Sequence, residues 1–198
     1  MQATPQILHQ QGNEALLVYS KFAEDWLAPG DLDFFLLKEK IMLHQNKITV
    51  FGKEYNEPRL TQWMGPRYRY SNIQWPQQDF SPTLANWRNH LSDLLHFPFN
   101  SVLINYYRDG SDSMGKHRDN EPEMNTTCIA SLTFGAARPI HFEEPVTGKK
   151  IKYVLEHGDL LVMHHLQEKW WHQLPKRKNI SQARLNLTFR HCLLHANQ

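Results

Sequence analysis

CIASLTFGAARPIHFEEPVTGKKIKYVLEHGDLLVMHH (residues 128–165) decides the fold. It contains four short runs, CIASLTF, PIHFEE, KIKYVLEH and DLLVMHH, broken at Gly135, at Thr147-Gly148 and at His157-Gly158-Asp159. Short β-branched and aromatic runs with turn residues between them read as strands of a barrel or a two-sheet jelly roll. The same pattern extends both ways. SVLINYYR lies upstream and stops at Asp109-Gly110, and WWHQLP and ARLNLTFR (183–190) lie downstream on either side of a basic loop. From Asn100 onward the chain is therefore expected to be a β core.

The preceding residues read differently. Ser81 and Pro82 form a helix start, serine as cap and proline in the first turn. Leu84, Trp87, Leu91 and Leu94 follow at helical spacing, so this helix should cover a sheet. Pro29-Gly30-Asp31 opens a second helix, with Leu32, Phe35, Leu36 and Leu43 as its stripe. ALLVYS reads as a strand and KITVFGKEY as a hairpin turning near Gly52. RLTQW and YRYSN are further strand candidates. The first fourteen residues are polar and expected to be loose. The expected class is mainly β with flanking helices: a single domain over 1–198, with 1–99 as an N-terminal helical and hairpin layer and 100–192 as a jelly-roll core.

The bulk properties agree with a folded domain. The chain has 198 residues, 40% of them hydrophobic, including six Trp, seven Tyr and ten Phe. That is too apolar for disorder and long enough to bury a core. Cys128 and Cys192 are too few for a disulfide framework and sit in apolar runs, so buried thiols in a reducing, intracellular compartment are expected. That means cytoplasm in a bacterium or nucleus in a eukaryote. No apolar run reaches the ~20 residues that cross a bilayer, so no membrane association is expected. The net charge of +2 permits a nucleic-acid partner without requiring one. Basic triplets at Arg59, Arg67 and Arg69, at Lys149, Lys150 and Lys152, and at Lys176, Arg177 and Lys178 read first as solvated loops. Interleaving with aromatics, as in RYRYSNIQW, favours nucleic acid.

The chemistry is concentrated in three places. In an extended segment residues i and i+2 share a side, so His117 and Asp119 of HRD can reach one ion. His172, set among Trp170, Trp171 and Leu174, can join them from a distant strand. Two histidines and a carboxylate cover one face of Fe(II) and leave the other open. A zinc site that activates water uses similar donors. His164 and His165 are rivals for His172, whereas His157 is expected to hydrogen-bond locally. In ARLNLTFR the strand period puts Arg184, Asn186, Thr188 and Arg190 on one face and Leu185, Leu187 and Phe189 on the other. Two arginines are expensive to bury without an anion, and arginine suits carboxylates. A dicarboxylate such as 2-oxoglutarate fits. Asn105 and Tyr107 share a face of SVLINYYR and could bind the same molecule.

FNSVLINYYRDG, MGKHRDNEPE, IASLTFGAAR, EHGDLLVM, WWHQLP and ARLNLTFR together resemble the AlkB family of Fe(II)/2-oxoglutarate-dependent dioxygenases, nearest to its animal homologues that repair alkylated nucleic acid. EPRLTQWMG and YRYSN extend the resemblance upstream. It implies a double-stranded β-helix with a nucleotide-recognition lid, His117, Asp119 and His172 on iron, and dioxygen as cosubstrate. It assigns Arg184 to the distal carboxylate of 2-oxoglutarate with Tyr107 and Asn186, and Arg190 and Asn105 to the metal-bound end. Glu121 would touch the damaged base, and Tyr68 and Tyr70 would hold it, with Arg67 and Arg69 nearby on phosphates. The implied activity is oxidative demethylation of N-alkylated bases of the 1-methyladenine and 3-methylcytosine type, DNA before RNA, by a monomer, with release of formaldehyde and succinate. The alternatives are RNA or protein side chains as substrate, a zinc hydrolase, and a binding module without chemistry. Relatives of this pattern read HRDDE. Asn120 removes a charge there and, beside Asp119, should point away from the metal.

Overall fold

The computed structural model describes residues 4–50, 52–70 and 73–193, with the side chains of residues 49, 50, 69, 70 and 73 outside that description. The N-terminal half supplies β1 (Gln6–Gln11), β2 (Glu14–Tyr19), α1 (Leu32–Lys38), β3 (Lys47–Val50), β4 (Lys53–Asn56), β5 (Leu60–Met64), β6 (Tyr68–Tyr70), β7 (Ile73–Trp75) and α2 (Pro82–Leu95). The remainder is β8 (Ser101–Tyr107), β9 (Met114–His117), β10 (Met124–Gly135), β11 (Arg138–Glu144), β12 (Lys149–Leu155), β13 (Leu160–His164), β14 (Trp171–Leu174) and β15 (Arg184–Cys192).

Two antiparallel sheets carry the molecule. The large one runs β1-β2-β13-β10-β15-β8-β5 and the small one β12-β11-β14-β9. The strands from β8 onward divide evenly between them, as a jelly roll requires. Residues of β2, β10 and β13 (Leu16, Val18, Ile129, Leu161, Met163) pack against Ile140, Phe142 and Leu155 of the small sheet. The other face of the large sheet is closed by the helices. Leu84, Trp87 and Leu91 of α2 and Leu32, Phe35 and Leu36 of α1 meet Ile104, Leu132, Phe134, Leu185, Leu187 and Phe189. Phe35 stacks on Trp87 with ring centroids 5.3 Å apart. The apolar face of ARLNLTFR thus packs under the helices, and its polar face is left to look between the sheets.

Local signals act as read. The Ser81 hydroxyl accepts from the Leu84 amide at 3.4 Å and Pro82 opens α2. KITV and KEYN pair as β3 and β4, with Gly52 at φ 75° in the turn. Gly65 must be glycine: at φ 133° a Cβ would lie 2.8 Å from the Asn100 carbonyl, where β5 leaves the sheet towards the β6–β7 hairpin. No helix among the described residues is long and apolar enough to cross a membrane.

Three expectations change. Residues 6–11 form a strand, β1, rather than a loose tail. This edge strand is mostly exposed, so it carries no apolar alternation. Pairing with β2 holds it, as does His9, packed 4.8 Å from the Trp170 ring. Helix α1 stops at Lys38, short of Leu43, because Lys40 takes a left-handed φ of 53° and the Ile41 amide turns back to the Leu36 carbonyl. The first 99 residues are more than a wrapping layer, since β1, β2 and β5 are strands of the large sheet itself.

Candidate active site

His117 ends β9 and His172 sits on β14, directly opposite it in the ladder of the small sheet. Asp119 follows two residues after His117 in the exit loop. Their ligand atoms all lie within 4.8 Å of one another. His117 Nε2 is 3.6 Å from Asp119 Oδ1 and His172 Nε2 is 3.9 Å from Asp119 Oδ2. Two donors bound ~2.1 Å from one ion lie no more than about 4.2 Å apart, so both spacings suit a shared metal. The imidazoles are prepared for that role. His117 Nδ1 lies 2.9 Å from the Gly115 carbonyl, so donating there leaves Nε2 with its lone pair. Burial drives His172 down to about 3, helped by the neighbouring His117, so it is a neutral ligand. Burial alone would raise the Asp119 carboxyl, but the Arg190 guanidinium, then His117 and His172, bring it below the usual carboxylate range. Arg190 donates to Asp119 Oδ2 at 2.8 Å.

One cavity connects this triad to the polar face of β15. Asn105, Tyr107, Arg184, Asn186, Thr188 and Arg190 line it together with His117, Asp119 and His172. Arg184 is 2% exposed, yet no carboxylate among the described residues pairs with it. Its Nη2 donates to Thr133 Oγ1 at 2.8 Å and its guanidinium lies 5.4 Å from the Tyr107 ring centroid, while Nε has no partner. Burial lowers it to about 10. A buried cation in this condition calls for an anion. The amides are more committed. Asn105 accepts from Arg59 at 2.9 Å, and Asn186 donates to Ser131 and to the Leu132 carbonyl at 2.7 and 2.9 Å. The donor set and the unanswered guanidinium fit iron and a dicarboxylate.

The remaining sequence-derived sites divide. Glu121 lies beside the Tyr68 hydroxyl; its Oε2 is buried without a hydrogen-bond partner among the described residues. Burial, then the charge of Asp119, raises its pKa. Tyr68 is 2% exposed and stacks on Trp63 with centroids 4.5 Å apart, so one ring face is already taken. Arg67 is exposed, and the side chains of Arg69 and Tyr70 lie outside the described residues. Asn120 is exposed. His157 bonds outside its own turn, accepting from the Gly135 amide at 3.0 Å and approaching the Glu24 carbonyl at 3.3 Å, rather than locally. His164 and His165 do not join the triad.

Two supports were not read from sequence. Gln167, almost fully buried, accepts the Asp119 amide at 3.0 Å, and the carbonyls of Glu168 and Lys169 bind Arg118 at 2.7 and 3.2 Å. Residues 166–170 therefore hold both non-histidine positions of HRD. Arg59 is a buried ion-pair partner of Glu57 at 2.8 Å rather than a surface charge. Gln167 lies 48 residues from Asp119, so nothing beside HRD signals its role, and the neighbouring Glu57 and Arg59 carry no apolar pattern to say that they are buried.

Residues 24–190 match the model of the 2OG-Fe(II) oxygenase superfamily. The chain belongs to that superfamily. Within it, the chain belongs with the AlkB proteins. It is 37% identical over 161 residues to human DNA oxidative demethylase ALKBH2, covering 75% of this chain and 62% of that protein. It is also 37% identical over 149 residues to mouse alpha-ketoglutarate-dependent dioxygenase alkB homolog 3, covering 69% and 52%. The chain thus spans little more than half to three-fifths of these relatives' length. The solved structure of OsALKBH1 superposes with a TM-score of 0.59 over 92% of this chain and 100% of that one, at 17% identity, and supports the fold. The cofactors of a 2OG-Fe(II) oxygenase, Fe(II) and 2-oxoglutarate, are those the cavity fits.

Proposed function

We propose that the chain is an Fe(II)- and 2-oxoglutarate-dependent dioxygenase that demethylates N-alkylated bases in DNA, of the 1-methyladenine and 3-methylcytosine type. The observation that carries this is the shared cavity, in which a metal-ligand triad faces a buried arginine that lacks a carboxylate. The relatives named as DNA oxidative demethylases support the choice of substrate.

His117, Asp119 and His172 would hold the iron, which with 2-oxoglutarate and dioxygen supplies the oxidation of an N-alkyl group. The protein's part is positional and electrostatic. Arg190 keeps Asp119 ionised, and burial keeps His172 neutral. Arg184, with Tyr107 and Thr133 against it, binds the distal carboxylate; Asn105, Asn186 and Arg190 border the rest of the cosubstrate. The damaged base must leave its stack to enter. Glu121 and the Tyr68 hydroxyl meet it: an N1-methylated adenine is cationic, and a carboxylate next to it favours that charge. Because Trp63 covers one face of Tyr68, this residue acts through its hydroxyl and free edge, and Tyr70 is left as the second aromatic. Arg67 and Arg69 take phosphates. We read the chain as a single monomeric domain acting inside the cell, in keeping with two buried free thiols.

The test is anaerobic loading with Fe(II) and 2-oxoglutarate, then air and a 1-methyladenine oligonucleotide. Formaldehyde and unmodified adenine are expected together. Succinate with no change in the base would refute DNA demethylation and favour hydroxylation of another substrate. A matched RNA strand separates the two nucleic acids.

A further inference from the structure

The loop between β13 and β14 bears on two of the three metal ligands. Gln167 accepts the Asp119 amide at 3.0 Å, and the carbonyls of Glu168 and Lys169 take the Arg118 guanidinium. Trp170, at the loop's end, lies two residues before His172. Within the loop the amides of Lys169 and Trp170 return to the Leu166 carbonyl at 3.2 and 2.8 Å, and the chain enters through His165 at a left-handed φ of 50°. Where this turn sits decides where Asp119 sits. What holds the turn comes from the other end of the chain.

Glu14 opens β2, just past the hairpin turn at Gly12. Ala15 pairs with His164, so Glu14 stands where the loop leaves β13. Its side chain is buried, and both of its carboxylate oxygens are bonded to the loop. Oε1 accepts from Lys169 Nζ, and Oε2 accepts from Trp170 Nε1 at 3.3 Å. His9, on the partner strand of the hairpin, packs its ring on Trp170, and its Nε2 lies 3.6 Å from Glu14 Oε2. Lys149 Nζ is 3.0 Å from His9 Nδ1. An ammonium only donates, so Nδ1 accepts and Nε2 turns an N–H towards the carboxylate. Burial alone would raise the Glu14 carboxyl, but the bonds from Lys169 and then Trp170 bring it below the usual carboxylate range. Leu166 and Trp170 anchor the loop in the core between the sheets. An apolar residue at position 14 could fill the space without the desolvation cost of a carboxylate. It could not fix the heading of the indole and the ammonium, which two charge-assisted bonds do.

We propose that Glu14 is a positioning residue for the metal centre: it holds the β13–β14 loop through Trp170 and Lys169, and the loop, through Gln167, holds Asp119. Glu14 touches neither the metal nor the cosubstrate. The proposal rests on the reading of His117, Asp119 and His172 as metal ligands, and it ties the N-terminal hairpin to their geometry.

The test uses Co(II) absorbance titration and, in the metal-free protein, amide hydrogen exchange followed by NMR. Glu14→Met keeps the volume and strands no buried cation, because the Lys169 side chain is 63% exposed. Co(II) should bind about tenfold more weakly, at the low end of the effect of losing a ligand's supporting bond, with altered d–d bands. The Asp119 amide should exchange about tenfold faster, while the amides of β10 keep their protection. Glu14→Gln still accepts from both donors and should recover most of both. In a Gln167→Met background, where the link to Asp119 is cut, adding Glu14→Met should weaken Co(II) by less than about threefold. Leu91→Ala opens a cavity under α2, on the other side of the large sheet, and should lower the Tm while leaving both readouts unchanged. Equal losses in Leu91→Ala would reduce the effect to general stability and overturn the proposal. Native Co(II) affinity and native Asp119 exchange in Glu14→Met would overturn it too, as would a fully additive loss with Gln167→Met. If Glu14→Met does not fold, Lys169→Met, changed at a largely exposed side chain, should show both losses at about threefold, and native values there would overturn the proposal. If the unaltered protein bound no Co(II), the metal-ligand reading itself would fall.

Discussion

Replacing Arg184 by methionine should stabilise the ligand-free protein and abolish its response to 2-oxoglutarate. The guanidinium is held 2% exposed, bonded to Thr133 and set against Tyr107, with no carboxylate among the described residues. Burial lowers it from 12.5 to about 10, which corresponds to roughly 3 kcal/mol of cost to the charged form. Methionine fills similar volume without charge. Losing the Thr133 bond costs about 1 kcal/mol. The net gain should therefore be about 2 kcal/mol, or a Tm several degrees higher at roughly 2–4 °C per kcal/mol for a chain of this size. The ligand effect runs the other way. At a cosubstrate concentration a hundred times its Kd, the native protein gains about 2.7 kcal/mol. The variant, lacking the charge that holds the distal carboxylate, should bind at least about a hundredfold more weakly, so that most of this gain disappears. Thermal unfolding with Mn(II), with and without 2-oxoglutarate, reads both effects. A variant that melted lower than the native chain, or still shifted with 2-oxoglutarate, would refute the claim that Arg184 is an uncompensated cation awaiting an anion.

Gln167→Met removes the side chain that accepts the Asp119 amide while preserving volume. Metal affinity, measured by Co(II) absorbance, should drop roughly 10–100-fold with little change in Tm; an unaltered titration would show that residues 166–170 do not position Asp119. Burial raises the Asp112 carboxyl, but hydrogen bonds from the Arg108 side chain and amide outweigh it and hold the pKa below the usual range. A carboxyl depressed in the folded state contributes stability above its unfolded pKa, and that contribution is lost as pH falls through the folded value. Asp112→Asn should therefore flatten the acid limb of stability below about pH 4. Urea midpoints that lose stability in parallel for both proteins across that range would contradict it.

The legibility of the fold followed the strength of its periodicities. β10, β13 and β15 are buried apolar strands bounded by turn residues, and α2 has a cap, a proline and a four-residue stripe; each announces itself. β1 does not, because a polar edge strand is held by backbone pairing and by one histidine packed on a distant indole. Backbone hydrogen bonds have no sequence signature when no side chain needs burying. The same reason explains why the sequence does not reveal the large sheet's recruitment of β1, β2 and β5: pairing partners are chosen by the whole arrangement, and short strands of similar composition cannot name them.

The candidate site shows the complementary case. Arg184 and Arg190 look alike on the strand, four apolar-flanked polar positions with a guanidinium at either end, and period alone gives them one face. What separates them is their counter-charge. Arg190 already answers to Asp119, so its charge is taken up in holding a ligand carboxylate ionised; Arg184 meets only the Thr133 hydroxyl and the Tyr107 ring, and no carboxylate among the described residues, so its charge is available. The same test separates surface cations. Arg59, read as one of a basic cluster, is consumed by Glu57, while no carboxylate among the described residues lies within ion-pair distance of Lys152 or Arg177. Sequence reports where charges are, but only the folded arrangement reports which of them are unanswered. In this protein Arg184 is a buried cation left without a counter-charge among the described residues, and it faces the cavity that would take the cosubstrate.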